Sequence, residues 1–204
     1  MDLASSRGNC IRKILCRIME KLFRFYKSLE EIIEHLKSVK ENVDQKEVEK
    51  VVQFILDSKR VFTYGAGRSG FVARCFAQRL MHIKIEAYFV GETITPSMTK
   101  DDVFIVVSGS GETASSVALV EKAKKIGAKV ISVTAHREGT ISNMADHTLF
   151  VPGKTKLVEK ESYAPFTSLF DISVLSVFDS ITSELMGRLN VDENLILKRH
   201  ANVE

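Results

Sequence analysis

The run Val103-Phe-Ile-Val-Val107 continues directly into Ser108-Gly-Ser-Gly-Glu-Thr113, and this stretch decides the fold class. Every residue of the run is apolar, which is typical of a strand covered on both faces. A helix is predicted from Thr113 to Ile126, where Gly127 provides a natural end. A buried strand that turns through a Gly-Ser loop into a helix is the repeating unit of a parallel α/β sheet.

The same unit recurs on both sides of this stretch. Upstream, the loop Gly65-Ala-Gly-Arg-Ser-Gly70 follows a β-type run and leads into a predicted helix over 69–82. A final helix over 168–189 is apolar around much of its circumference, so it needs cover from more than one direction, part of which a second subunit could supply. The predicted strands are 60–64, 86–89, 103–107, 129–134 and 148–151. This alternation predicts a parallel sheet with helices on both faces.

Two helical segments are predicted ahead of the sheet. Apolar residues recur at spacings of three and four from Ile11 to about Lys40, which indicates one amphipathic helix or two in series. The next helix is predicted from Gln45 to Leu56, with Asp44 as its N-cap. The 204 residues suit one buried core, and no internal repeat or linker divides them.

Composition excludes several classes of function. The formal net charge is +3 and the basic residues are dispersed, so we expect no nucleic-acid partner. No run reaches the ~18 apolar residues of a membrane span, although an amphipathic leader lying on a membrane is an alternative for the N-terminus. The three cysteines, Cys10, Cys16 and Cys75, form no CxxC pair. We therefore expect no zinc site, no disulfide framework and a reducing, cytoplasmic location.

The loop after the central strand has the residues of a phosphate site. Ligands of parallel sheets bind beyond the carboxyl ends of the strands. Gly109 and Gly111 let the backbone approach a ligand, and Ser108, Ser110 and Thr113 supply hydroxyl groups. The following helix adds unpaired N–H groups and the positive end of its dipole. The loop lacks the lysine of a nucleotide triphosphate site, so we expect a phosphate monoester, the alternative being a turn without a ligand.

The loop after the first strand carries the string G-x-G-x-x-G at Gly65, Gly67 and Gly70. In dinucleotide sites an acidic residue ends the next strand, but here Glu92 comes only in the loop beyond that strand. NAD is thus an alternative that the pattern supports poorly. The second Gly-Ser loop favours a phosphosugar instead, and we expect no cofactor.

The two loops together resemble those of sugar isomerase (SIS) domains. Three further stretches are similar to the 6-phospho-3-hexuloisomerase family: Ala77-Gln-Arg-Leu-Met-His82, Tyr88-Phe-Val-Gly-Glu-Thr-Ile-Thr-Pro96 and Leu189-Asn-Val-Asp-Glu-Asn-Leu-Ile-Leu-Lys-Arg-His-Ala-Asn202. The resemblance covers about 27–204 and leaves 1–26 as an N-terminal helical extension. It implies a three-layer α/β/α sandwich around a five-stranded parallel sheet, no metal, and a homotetramer with its sites near subunit contacts.

The resemblance also implies a reaction. Members of this family interconvert 3-hexulose 6-phosphate and fructose 6-phosphate through a cis-enediol, the second step of formaldehyde fixation in the ribulose monophosphate pathway. Their catalytic carboxylate is a Glu in a Gly-Thr-x-Phe-Glu setting, and the matching stretch here is Thr167-Ser-Leu-Phe-Asp171. The carboxylate is therefore kept as Asp171, one methylene shorter, and Thr167 replaces the glycine. The residues that the resemblance places at the phosphate are Gly67, Arg68, Ser69, Ser108, Ser110, Gly111 and Thr113.

Three more residues are candidates for the chemistry. The resemblance gives His82 a role in proton transfer to the sugar oxygens, and His200 could reach the site from a neighbouring subunit. Glu92 could bind sugar hydroxyls or replace Asp171 as the base. Four of the candidate site residues have a structural alternative: His82 and Asp171 as helix-end charges, His200 in a solvated basic tail, and Arg68 as a cap of a neighbouring helix. The remaining histidines, His35, His136 and His147, stay unassigned.

Two other functions remain open at this point. One is a SIS isomerase of another sugar phosphate, such as arabinose 5-phosphate or sedoheptulose 7-phosphate. The other is a phosphosugar sensor without catalysis, which the shorter carboxylate at Asp171 supports. Charges of alternating sign ahead of the sheet indicate packing helices rather than a DNA-recognition helix.

Overall fold

Five parallel strands form the central sheet of the computed structural model, which describes residues 22–155 and 161–203. The strand order is β2-β1-β3-β4-β5, so β1 and β3 lie side by side near the middle. The strands are β1 Val61–Gly65, β2 Ala87–Phe89, β3 Val103–Val107, β4 Lys129–Thr134 and β5 His147–Phe150. The predicted three-layer α/β/α sandwich with a five-stranded parallel sheet is confirmed.

Helices cover both faces of this sheet. In the described part of the chain they are α1 Phe23–Asn42, α2 Gln45–Asp57, α3 Arg68–His82, α4 Ala114–Ile126, α5 Thr140–Met144, α6 Ser168–Leu189 and α7 Glu193–Arg199. Side chains of α1, α2, α3 and α6 share one core with one face of the strands, while α4 and α5 cover the other face. None of these helices is both long and apolar enough to cross a membrane.

The predicted element boundaries agree closely with the structure. The bounds of β3, β4 and α6 are those expected, β2 begins one residue later, and β1 and β5 are each shifted by one residue. Asp44 caps α2 by accepting a hydrogen bond from the Lys46 N–H at 2.7 Å, and Gly127 ends α4 with φ +90°. The short helix α7 was not predicted. Of the predicted helix over 11–40, the part before residue 22 lies outside the described residues.

The first helix runs without a break across the expected domain boundary. Helix α1 begins at Phe23, four residues before the boundary placed at 26/27. Its last turn reaches the core through Val39, which is buried against the other helices of its face. The division into 1–26 and 27–204 stays a prediction.

Helix α6 is covered from several sides, as its apolar circumference predicts. It packs on α3, where the rings of Phe76 and Phe178 stack with their centres 4.0 Å apart, and it also contacts α1 and α2. The helix is thereby fixed relative to α3, and the N-termini of these two helices hold candidate site residues.

A buried ion pair joins the starts of β1 and β3 at the amino edge of the sheet. Asp102 has a fully buried side chain, and Arg60 donates to both of its oxygens at 3.0 and 2.7 Å. Thr99 adds its backbone N–H and its hydroxyl at 2.6 and 2.9 Å. Burial alone would raise the pKa of Asp102, but the hydrogen bonds from Arg60 and Thr99 outweigh it and hold the pKa below its ordinary value.

We expect Asp102→Ala to lower the free energy of unfolding by about 3 kcal/mol at pH 7, because Arg60 would lose its buried counter-charge. The lowered pKa means that the carboxylate stabilises the fold fully above its ordinary pKa of 3.8, and that this contribution is lost as the pH falls through the lower folded-state value. In urea titrations, the difference in the free energy of unfolding between variant and parent should therefore become smaller below about pH 4.

The matched control for this substitution is Asp179→Ala, which breaks an exposed ion pair with Arg79. Exposed pairs contribute less than about 1 kcal/mol. Equal losses for the two variants at pH 7 would contradict the stabilising role of the buried pair.

Candidate functional site

The two Gly-Ser loops leave the sheet side by side. Gly65, the last residue of β1, is paired with Val107, the last residue of β3. The chain then enters α3 from one strand and α4 from the other. Because both strands are parallel, both loops and the N-termini of both helices lie at the carboxyl edge of the sheet.

The loop after β3 forms a concave set of donors. Gly111 has φ +68°, and its N–H donates to the Ser108 carbonyl at 3.1 Å, which closes the turn. The hydroxyl oxygens of Ser108 and Thr113 lie 3.3 Å apart, and the Glu112 N–H donates to the Ser110 hydroxyl oxygen at 3.3 Å. Thr113 is the N-cap residue of α4, but its hydroxyl does not cap the helix. The first N–H groups of α4 therefore remain available to an anion beside these hydroxyls.

The one carboxylate within this loop is turned toward another helix. Glu112 accepts hydrogen bonds from the Thr140 hydroxyl and the Thr140 N–H, both at 2.6 Å, at the start of α5. These two donors lower the pKa of Glu112, the hydroxyl contributing most. The negative charge of Glu112 is thus bound at the N-terminus of α5. The loop can therefore still bind an anion, because this charge does not point into it.

The loop after β1 is linked to α6 through Asp171. This carboxylate is 2% exposed and lies in the first turn of α6. Its Oδ1 accepts from the Ser69 hydroxyl at 3.0 Å, and its Oδ2 accepts from Arg68 Nε at 3.2 Å and from the Thr167 hydroxyl at 2.8 Å. Three predicted site residues, Arg68, Ser69 and Asp171, therefore meet in one cluster. This cluster lies at the same edge of the sheet as the loop after β3.

Arg68 is held at one nitrogen only. Its side chain is 60% exposed, and in the described part of the chain no hydrogen bond engages its two terminal nitrogens. Gly67, which precedes it, has φ +59°, a conformation that favours glycine. The guanidinium can therefore offer its outer nitrogens to an anionic ligand while Asp171 orients it.

Glu92 lies at the same edge of the sheet, beyond the end of β2. It forms an ion pair with Arg74 at 3.2 Å, and both side chains are 43% exposed. The Arg74 guanidinium in turn lies 3.6 Å above the ring centre of Phe89. No hydrogen bond within the described residues joins Glu92 to the Asp171 cluster. Glu92 is therefore positioned at the rim of the candidate site rather than inside it.

His82 and His200 lie together but far from the loops. Their rings stack with centres 5.4 Å apart, and His82 is 3% exposed with no hydrogen-bond partner at Nδ1. Burial lowers the pKa of His82 most strongly, followed by the nearby His200, Arg79 and Arg199. The 15-residue α3 begins at Arg68 and ends at His82, which places the imidazole about 20 Å from the Asp171 cluster of the same chain.

Two residues at the site carried no prediction of their own from the sequence. Thr167 was noted only as a replacement for glycine, yet its hydroxyl binds Asp171. His136 follows β4, and its Nε2 lies 2.9 Å from the hydroxyl of the buried Thr155, which packs beside Gly109. The rule that ligands bind beyond strand ends would have indicated His136. Among residues 22–155 and 161–203, no group of three His, Cys, Asp or Glu side chains is arranged to hold a metal ion.

Known proteins share this sequence and this fold. Residues 54–178 match the SIS domain model. The chain is 40% identical over 156 residues to a 3-hexulose-6-phosphate isomerase of Methanocaldococcus jannaschii, which covers 76% of this chain and 83% of that protein. It is 36% identical over 177 residues to a 3-hexulose-6-phosphate isomerase of Bacillus subtilis, which covers 85% of this chain and 96% of that protein.

A solved structure extends the similarity to three dimensions. It is a protein from Methanococcus jannaschii for which the function of 3-hexulose-6-phosphate isomerase is inferred. It superposes with a TM-score of 0.75 at 38% sequence identity, and the match covers 87% of this chain and 97% of that chain.

We expect Gly65→Ala to displace the first loop, because an added Cβ would lie 2.6 Å from the backbone of Ser69. Such a contact should cost about 1–3 kcal/mol of the free energy of unfolding and weaken ligand binding at the loop. Gly187→Ala in α6 is the control, since nothing lies within 4 Å of its added Cβ and alanine favours a helix by about 0.5–1 kcal/mol. A melting temperature of Gly65→Ala above that of Gly187→Ala would contradict the close approach of Gly65 to the Ser69 backbone.

Proposed function

The chain belongs to the SIS domain family, and on that premise we propose that it is a phosphosugar isomerase that interconverts 3-hexulose 6-phosphate and fructose 6-phosphate. The observation that carries the proposal is the arrangement at the carboxyl edge of the sheet. Hydroxyl groups of Ser108, Ser110 and Thr113 surround the N-terminus of α4, and the buried carboxylate of Asp171 lies in the adjacent cluster. An anion site next to a carboxylate suits an isomerase of a phosphorylated sugar.

The phosphate is proposed to bind at the second loop. The N–H groups that begin α4 and the hydroxyls of Ser108, Ser110 and Thr113 would donate hydrogen bonds to its oxygens. Ser69 and the outer nitrogens of Arg68 would approach it from the neighbouring loop. Binding the phosphate remotely holds the sugar carbons in place, which lowers the entropic cost of the proton transfers.

The isomerisation moves a carbonyl between neighbouring carbons of the sugar. A base takes the proton from C2 of the 3-ketose, a cis-enediol forms, and a proton returns at C3 while another moves between the two oxygens. We assign the base to Asp171, with Glu92 as the alternative, and the transfers at oxygen to His82 and His200. Burial, followed by the nearby His200, Arg79 and Arg199, lowers the pKa of His82 and so favours its neutral imidazole.

The distance of His82 from its own Asp171 supports a role for a second subunit. A histidine about 20 Å away cannot act on the same bound sugar, so it would serve the site of a neighbouring copy. Phe71 and Ile94, at the β2 end of the molecule, are 69% and 77% exposed, which supports a subunit contact there. We therefore propose a homotetramer with its sites near subunit contacts, a unit that comprises 27–204 and is preceded by the extension 1–26.

The place of this reaction follows from its substrate. A 3-hexulose 6-phosphate arises when formaldehyde is added to ribulose 5-phosphate, so we propose a function in the ribulose monophosphate pathway. Three cysteines without a CxxC pair support a reducing cytoplasm as the location.

One observation favours a second function, phosphosugar binding without turnover. Asp171 already accepts three hydrogen bonds from Ser69, Arg68 and Thr167. Both carboxylate oxygens are thus already engaged within the protein, as in a carboxylate with a structural role. A sensor needs only the phosphate site, which Asp171 would then support by holding the first loop.

We expect the purified protein to convert 3-hexulose 6-phosphate, made in place from ribulose 5-phosphate and formaldehyde by an added synthase, into fructose 6-phosphate. The product would be followed through glucose 6-phosphate to NADPH. Asp171→Asn should lower kcat by about 100-fold or more, because the amide cannot take the proton. The control is Asp57→Asn, an exposed aspartate at the end of α2 that accepts a hydrogen bond from Gln53.

The outcomes separate the candidate functions. Activity retained in Asp171→Asn would assign the base to Glu92 or His82 instead. A parent protein without turnover whose melting temperature rises with fructose 6-phosphate would be the sensor. A parent protein that neither turns over nor binds would overturn the phosphosugar assignment itself.

A further inference from the structure

Thr167 begins α6 in a backbone conformation that threonine rarely adopts. Its φ is +62° and its ψ is −8°, in the left-handed region. A side chain that branches at Cβ is unfavourable there, because its substituents crowd the backbone, whereas glycine would adopt the same angles without strain. Such local strain persists only where the surrounding structure fixes it, and it concentrates at functional sites.

The hydroxyl of Thr167 also departs from the usual behaviour of threonine at this position. An N-cap threonine normally has an extended backbone, and its oxygen accepts a hydrogen bond from an N–H of the first helical turn. Thr167 makes no such capping bond. Its hydroxyl donates instead to Oδ2 of Asp171, one turn along the helix, at 2.8 Å. The conformation thus gives up a helix cap and gains a contact with the buried carboxylate.

The three donors to Asp171 come from two helices. Ser69 and Arg68 belong to the first turn of α3, and Thr167 is the one donor on the helix that carries the carboxylate itself. The aspartate side chain has few rotatable bonds, so a contact from its own helix fixes the direction of the carboxylate. The two contacts from α3 can then form at both oxygens at the same time.

We propose that Thr167 is a positioning residue, whose hydroxyl holds the carboxylate of Asp171 in the one orientation that Ser69 and Arg68 can also bind. The strained backbone is required because an extended backbone at Thr167 would direct the hydroxyl to the backbone N–H groups of α6. This inference rests on the proposed function for its effect on turnover, since Asp171 is the assigned base there. The claim that the Thr167 hydroxyl orients the Asp171 carboxylate does not depend on turnover.

Three substitutions at one position separate the hydroxyl from the backbone. Thr167→Ser keeps the hydroxyl, Thr167→Ala removes it and keeps a strained Cβ, and Thr167→Gly removes both the hydroxyl and the strain. In the coupled assay we expect the serine variant to stay within about twofold of the parent. The alanine and glycine variants should both lose about tenfold in kcat with KM changed less than about twofold, because binding of the phosphate is retained.

Melting temperatures would show that each variant is folded and would report the strain separately. The glycine variant should melt no lower than the alanine variant. Equal kcat values for alanine and parent, or a loss confined to the glycine variant, would overturn the proposal. Equal losses of kcat in the serine and alanine variants would overturn it as well, because the hydroxyl that serine shares with threonine would then have no effect.

Crystal structures of the parent, serine and alanine proteins test the same inference without turnover. We expect the alanine variant to lose the contact of Asp171 with Ser69 or Arg68, while the serine variant keeps both. An alanine structure in which both contacts persist would overturn the positioning role even for an active enzyme. If the parent is inactive but the alanine variant loses the contact of Asp171 with Ser69 or Arg68, the proposed reaction is refuted and the positioning role is supported.

Discussion

The parallel pairing of β1 with β3 is the constraint on which the rest of the site depends. It ends both strands at the same height, at Gly65 and Val107, so both Gly-Ser loops open on one edge. It also needs an anchor at the other end of the strands, which the buried pair of Arg60 and Asp102 provides. The relative position of the two loops at the carboxyl edge therefore depends on the pairing of β1 with β3 and on the ion pair at the amino edge.

The second constraint is the link between the N-termini of α3 and α6. Stacked rings of Phe76 and Phe178 fix these helices against each other in the core, and the buried carboxylate of Asp171 joins them again at their N-terminal ends. Packing sets the distance between the helices, and at that distance the Asp171 carboxylate can bind both Ser69 and Arg68. A site built on the ends of two packed helices is held more rigidly than one built on a free loop.

Much of the fold could be predicted from the sequence because burial leaves a readable pattern. The run 103–107 is apolar throughout since β3 is covered on both faces, and α6 is apolar around its circumference since other helices surround it. Helix α7 was not predicted because it has only seven residues, none of them fully buried, and its apolar residues 195–197 are adjacent rather than spaced at a helical period. The distance of His82 from the loops could have been predicted, because the length of the predicted helix over 69–82 follows from the rise per residue of an α-helix.

The orientation of Asp171 could not be predicted, because it depends on a backbone angle that the sequence does not signal. A left-handed residue is normally recognised by a glycine, and position 167 carries a threonine. The two departures from the family pattern at 167 and 171 were separate observations in the sequence, and in the structure one hydrogen bond connects them. A glycine has no side chain to reach a carboxylate, whereas a threonine hydroxyl reaches one that is a methylene shorter. On the proposed role of Thr167, the shorter acid and the strained threonine are one feature: Asp171 has the shorter reach, and the Thr167 hydroxyl sets the direction of its carboxylate.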